Sequence, residues 1–215
     1  MLPFFTDLVT RTDEARREFE THPVVLDAVA RGMTVERYRK LLLEIYHVVW
    51  HFNPVCAAAA SRMPDQFRQV RYFLYEHMHE ESGHEQWVMN DLEAVGVGPT
   101  ATAAHMPSID TLALCGFNHW AADRRHPCSV LGMLYALEVI ASVYGGTFAA
   151  AIRESLLLEG DHGVSFISSH ATMDTEHMVV LRQVLNTLAD PAARDAVTEA
   201  ALVNFHHITR VFSAV

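Results

Sequence analysis

The stretch Val164-Ser-Phe-Ile-Ser-Ser-His170-Ala-Thr-Met-Asp174-Thr-Glu-His177-Met-Val-Val-Leu-Arg-Gln-Val-Leu-Asn-Thr-Leu-Ala189 carries two patterns at once. Its apolar residues recur at three- and four-residue steps, the period of a helix. Its polar residues His170, Asp174 and His177 are spaced to fall within about 60° of one helix face. A second stretch, Asp65 to Ala94, repeats the arrangement as His77, Glu81 and His84. An acid three residues ahead of a histidine, on each of two helices, is the inward-facing ligand pair of carboxylate-bridged dinuclear bundles. In those bundles two further helices each add a lone acid. The pair of stretches therefore predicts an all-α fold with a metal-binding core.

The rest of the chain extends the helical reading. Helices are predicted over Phe5 to Thr21, Val24 to Ala30, and Val35 to about Arg62 with a bend at Asn53-Pro54. Thr34 is the N-cap of the last of these. Asp65 to Ala94 reads as one long helix, stopped by Val95-Gly96-Val97-Gly98-Pro99. Ser108 to about Asp123, Ser129 to Leu158, Val164 to Ala189 and a final helix opened by Asp190-Pro191 follow. No linker composition or short repeat interrupts them, which predicts a single helical domain over residues 1–215, a bundle of about seven helices.

Composition narrows the function. The net charge is -10 and Lys40 is the only lysine, so no surface suits nucleic acid. Cys56, Cys115 and Cys128 are far apart and odd in number, which implies neither a disulfide framework nor a zinc knuckle. With no signal-like N-terminus, the expected location is the cytoplasm. Cys128 to Ile152 holds a single charge, Glu138, in 25 residues. A charge at mid-membrane costs about 2.5–3.5 kcal/mol, and Gly132, Gly145 and Gly146 dilute the hydrophobicity. A helix buried inside a bundle, not a membrane span, is expected.

Glu138 also completes the metal set. A carboxylate among Tyr135, Leu137, Val139 and Ile140 is costly to bury unless paired or metal-bound. The candidate ligands are Glu81, His84, Glu138, His170, Asp174 and His177. Glu44 is the candidate fourth acid, with His47 and His51 as alternatives at i+3 and i+7 and Tyr46 beside the same cavity. His77 and His170 each precede an acid by four residues and are either ligands or orienters of a carboxylate. Carboxylates and imidazoles suit iron or manganese. Any one acid–histidine pair on a helix is usually a solvated face, as expected for His79, Glu80, Glu85, Glu93, His162 and Glu176. The joint occurrence carries the metal reading. An apolar cavity is expected from Tyr72, Phe73, Trp87, Phe117, Trp120, Tyr135 and Tyr144, with Arg153 and Arg182 as candidate anchors for a substrate carboxylate.

These motifs resemble the haem-oxygenase-like superfamily, and within it the di-iron oxidases, which are related to thiaminase-II and PQQ-synthesis C-type folds. The resemblance runs from about Pro23 to the end of the seventh helix. Gly32-Met33-Thr34-Val35-Glu36-Arg37-Tyr38 leading to Glu44-Ile45-Tyr46-His47 looks like the start of the superfamily's long early helix. Glu81 with His84, then Glu138, then His170, Asp174 and His177 are similar to the di-iron branch. The resemblance implies two Fe(II), O2 as co-substrate, and oxidation of a small organic acid, amino acid or amine, with homodimerisation common among relatives. Haem oxygenases hold haem through a histidine of the first helix, and Phe5–Thr21 has none. Thiaminase-type members use a cysteine in a setting like Pro127-Cys128, and an acid where this chain has Ile45. A thiaminase-II-like hydrolase using Cys128 is thus one alternative. A ferritin-like metal-binding protein without an organic substrate is the other.

Overall fold

In a computed structural model, residues 3–215 are described; they are helical almost throughout, with no strand among them. Helices α1 (Phe4–Arg11) and α2 (Asp13–Thr21) are separated at Thr12, where a single first helix was expected. Thr12 is fully buried, and its hydroxyl donates back to the carbonyl of Leu8 at 2.8 Å. α3 (Pro23–Arg31) leads to α4 (Val35–Arg62), whose first turn is capped by Thr34 accepting from the Arg37 N–H. α4 continues across Pro54. A 3₁₀ turn then opens α5 (Arg68–Glu80), α6 (His84–Ala94), the short α7 (Pro99–Ala104) and α8 (Ile109–Trp120).

α9 (Val130–Ile140) and α10 (Gly146–Leu156) run on through a π turn at Ala141–Gly145. α11 (Ser165–Thr187) and α12 (Pro191–Ser213) complete the fold. The described residues thus form twelve α-helical segments, more than the seven or so expected, chiefly because long predicted helices break or change pitch. Asp65 to Ala94 is broken at Glu81-Ser82-Gly83, where Gly83 has φ +93°. That left-handed backbone is costly for any residue with a Cβ.

Pro127–Leu156 is long and apolar enough to cross a membrane by length and composition, but most of it is buried inside the bundle. Leu131, Leu134, Tyr135, Ala149 and Ile152 are spent against neighbouring helices. Gly132 allows the closest of these approaches: a Cβ there would stand 2.1 Å from the Val197 carbonyl of α12.

Two apolar clusters make up most of the core. One joins Leu8, Val55, Leu74, Leu134, Leu181, Leu185 and Phe205. The other joins Ala28, Leu41, Val88, Leu92, Ile152, Val164 and Ile167. On the α5–α6 strand of the chain the candidate ligands fall between Leu74 and Val88. On α11 they fall between Ile167 and Leu181. The polar site therefore lies along the seam between the clusters.

Asp91 of α6 fixes α11 across that seam. Its Oδ1 accepts from the Ser165 N–H (2.9 Å) and hydroxyl (2.8 Å), and its Oδ2 from the Phe166 N–H (2.8 Å). A carboxylate here satisfies orphan N–H groups and complements the helix dipole. Tyr38 holds the preceding loop, donating to the Gly163 carbonyl at 2.7 Å. Asp91→Ala leaves these buried donors unpaired, and a loss of about 2–3 kcal/mol is expected. Thermal melts should show a midpoint lower by roughly 5–10 °C; a change under about 1 °C would refute the clamp.

Candidate metal centre

Seven side chains meet at the seam. The ligand atoms of Glu81, His84 and His170 lie within 4.8 Å of one another, as do those of Glu81, Asp174 and His177, and those of His77, Glu138 and His177. Glu81 and His177 each belong to two of these groups, so the three overlap into one centre with room for more than one ion. All six primary sequence candidates are brought together. His77, expected as either ligand or orienter, sits in the centre itself: its Nε2 lies 3.4 Å from Glu138 Oε1.

The break at Gly83 changes how the first triplet is delivered. His77 ends its run in α5, Glu81 stands in the turn, and His84 begins α6. They do not share the face of one continuous helix, as the spacing predicted. Only His170, Asp174 and His177 do, on α11. Val179 and Val180, which follow that triplet, are exposed.

Each imidazole is held from behind. His170 Nδ1 donates to the Phe166 carbonyl at 2.8 Å, which leaves Nε2 as the nitrogen turned toward the centre. That Nε2 lies 3.1 Å from His84 Nδ1 and 3.5 Å from Glu81 Oε2. His177 faces Glu80 through Nε2 at 3.4 Å, leaving Nδ1 3.3 Å from Asp174 Oδ1 and 3.5 Å from Glu81 Oε1. Trp87 stacks on His84 with ring centroids 4.0 Å apart, and Phe73 stacks on His77 at 5.3 Å. Glu80 is exposed, as expected of a solvated acid, yet it also forms the outer rim of the centre.

The electrostatics show a shortage of positive charge. Burial pushes the Glu138 carboxyl well above its usual range, and the nearby Asp174, Glu81 and Glu80 push it further. Burial also raises Asp174, against the pull of the His177 imidazole 3.3 Å away. Burial would raise Glu81 too, but hydrogen bonds from His170 and His84 outweigh it and hold Glu81 well below its usual value. Burial brings His77 down to about 4. Both Glu138 oxygens, His77 Nε2 and His177 Nδ1 are buried without hydrogen-bond partners. Four buried polar atoms without hydrogen-bond partners, gathered in one place, are what a cation would satisfy. The residues therefore fit a metal.

A cavity of about 180 Å³ opens beside the centre. His77, Glu81, Glu138, His170 and Asp174 form one end, and Val48, Phe52, Ile140, Phe148 and Phe212 are among its apolar walls. Of the aromatics expected there, only Tyr144 lines it. Tyr72 and Trp120 are about half exposed, and Trp87 and Phe73 back the ligands instead. Helical spacing marked them as inward without saying which interior they faced. Neither arginine is an anchor: Arg153 pairs with Asp161 at 3.5 Å, and Arg182 lies over the Phe5 ring.

Glu44 is not in the centre. Its carboxylate accepts from the Ser108 N–H (3.1 and 3.0 Å) and hydroxyl (3.0 Å), capping α8. His47 and His51, on the same face of α4, meet His105 and His119 instead. Tyr46 packs beside His47 and is not a cavity residue. Cys128 is fully buried, its thiol against the Met63 sulfur at 3.8 Å and pushed up to about 12 by burial. It does not line the cavity. Asp91 was missed, although its sequence position signalled it: an acid two turns after His84, on the same face between Val88 and Leu92.

Residues 39–205 match the family described as iron-containing redox enzyme, of haem-oxygenase type. The chain belongs to that family. No curated protein matches it in sequence. Among solved structures, a haem-oxygenase-like domain of unknown function from Shewanella denitrificans superposes with a TM-score of 0.85 at 20% identity, covering 98% of this chain and 90% of that one. A TenA homologue from Pseudomonas syringae gives 0.83 at 12% identity, covering 98% and 91%. Haem oxygenase-1 from Synechocystis, in complex with haem, gives 0.80 at 16%, covering 99% and 92%. At these identities the likeness shows the haem-oxygenase-like fold, which the iron-containing redox family shares with TenA proteins.

The raised Glu138 makes a signed prediction for the metal-free protein. The folded chain keeps a proton that the unfolded chain releases near pH 4.5, so this group's contribution to stability declines as pH rises above that value. Glu138→Gln should therefore make the metal-free protein measurably more stable than the parent at pH 7. The gain should vanish near pH 4, in denaturant titrations at both pH values. A variant less stable than the parent at pH 7 would contradict the assignment.

Proposed function

We propose that this protein is a non-haem di-iron oxidase or oxygenase that uses O2 to oxidise a small organic acid, amino acid or amine. The observation that carries the reading is the convergence of three carboxylates and four imidazoles, with orphaned donor atoms, at the end of an apolar cavity. Iron is favoured over manganese by the family's description as iron-containing; the ligand types accept either. Glu81, Glu138 and Asp174 would hold the metals with His77, His84, His170 and His177. When bound, two ferrous ions supply the electrons for O2 reduction.

The chain's own groups set the conditions. Glu81 is ionised and stands between two ligand groups, which suits a bridging role. Burial raises Glu138 and Asp174, so a metal entering there would displace any proton they carry, and loading would strengthen with pH. Glu80, half in solvent beside His177, offers those protons a way out. The cavity is walled mainly by apolar side chains and has no Lys or Arg along it. A substrate's apolar body fits there with its one polar group turned to the metals.

Three observations weigh against the sister activities. Ordinary small-molecule pockets run to roughly 300–1,000 Å³, so this cavity is too small for a tetrapyrrole. His22, the nearest histidine to the first helices, is occupied in capping α3 through Nδ1. A nucleophilic cysteine needs a lowered pKa and access, whereas Cys128 has a raised one and none.

Anaerobic titration should load about two Fe(II) per chain, and O2 should then produce a transient visible absorption. Glu138→Ala and His177→Ala should each lower that signal at least tenfold. Iron uptake below one tenth of a chain equivalent would sink the proposal. Activity that survives chelation but is lost in Cys128→Ser would replace it with the thiaminase-like reading. Iron oxidation with no organic molecule consumed would replace it with the ferritin-like one.

A further inference from the structure

We propose that the face of α4 turned away from the dinuclear centre carries a second transition-metal site, built from the pairs His47–His105 and His51–His119. His47 and His51 are one turn apart on α4, while His105 comes from the loop after α7 and His119 from the last turn of α8. His47 Nε2 and His105 Nδ1 are 3.3 Å apart, and His51 Nδ1 and His119 Nε2 are 3.0 Å apart. Two nitrogens each bound at about 2.0–2.1 Å to one tetrahedral ion stand about 3.3–3.4 Å apart. Both pairs are close to the separation that a shared ion requires.

The surroundings support ligation over a bare imidazole–imidazole hydrogen bond. Glu44 Oε1 lies 3.8 Å from His105 Nε2, the nitrogen not turned to His47. A carboxylate behind the distal nitrogen is the usual support for a metal-bound imidazole, since it favours the proton on that side. Burial first, and the partner imidazole second, lower His47 and His51, so both present neutral lone pairs at pH 7. All four residues are half-buried, so an ion can reach them and water can complete its shell. The chemistry differs from that of the main centre. Imidazole pairs without a direct carboxylate ligand suit Zn(II), Ni(II) or Cu(II), whereas a carboxylate-rich set suits iron. α4 would thus separate two sites of different metal preference.

The test is equilibrium dialysis of the full metal-free chain against micromolar Zn(II), comparing wild type with the double variant His105→Gln/His119→Gln. Zinc taken up by the main centre is common to both proteins. Wild type should hold between about one and two more zinc ions per chain than the variant, with identical circular dichroism. Equal zinc content in two folded proteins overturns the proposal. A second measurement needs no variant: in wild type, Zn(II) should slow acylation of His105 and His119 by diethyl pyrocarbonate at least fivefold. His79 and His162, exposed and outside both sites, should react unchanged. Uniform reactivity with and without zinc overturns the proposal even if the variant fails to fold.

Discussion

The fold is organised around a debt of charge: three carboxylates are buried with four imidazoles along the seam between two apolar clusters. Isolated in such surroundings, an ionised carboxylate costs several kcal/mol. The chain limits that cost unevenly. Glu81 is held low because two histidines hydrogen-bond to it, while burial pushes Glu138 and Asp174 up. The centre is consequently incomplete in a specific sense, with buried polar atoms left without hydrogen-bond partners. Stability has been given up where cations would restore it, the usual trade at a functional site.

Holding such a centre requires the two helical regions that supply most of its donors to keep a fixed register. Asp91 meets that requirement. It is two turns along α6 from His84 and grips the first turn of α11, one turn before His170. A single carboxylate thus sets the distance between the two halves of the ligand set. Tyr38 adds a second anchor from α4 on the loop just before α11. Both anchors are buried hydrogen bonds to backbone groups, so slippage of α11 would leave several unpaired polar atoms at once.

Much of this was legible in the sequence because the helical period and the ligand spacing report the same face. The α11 triplet and the isolated Glu138 are read directly from that agreement. The α5–α6 triplet was legible in its residues but not in its backbone. A lone glycine in a helical pattern is often tolerated, and nothing local shows that Gly83 takes a left-handed conformation. Glu44 misled for a different reason. An inward acid at helical spacing can neutralise a metal or cap a helix, and Ser108, 64 residues away in sequence, made it a cap. The cavity walls were least legible, since periodicity separates inside from outside but not one interior surface from another.

The fold alone leaves the chemistry open, because its neighbours include both a haem-bound oxygenase and TenA homologues; the site has to decide. The region following Glu138 shows how local backbone adapts this scaffold. A π turn at Ala141–Gly145 inserts an extra residue into the helix three residues after Glu138, and such turns recur at functional sites. Wider than an α turn, it lets Glu138, Ala141, Tyr144 and Phe148 all border the cavity. It also brings Gly145 against α11, where a Cβ would lie 3.3 Å from both the Ile167 carbonyl and the Ala171 side chain. Gly145 and Gly146 thus seat this segment on α11, while Gly132 seats it on α12. The same apolar run supplies one buried acid to the centre and a wall to the cavity beside it.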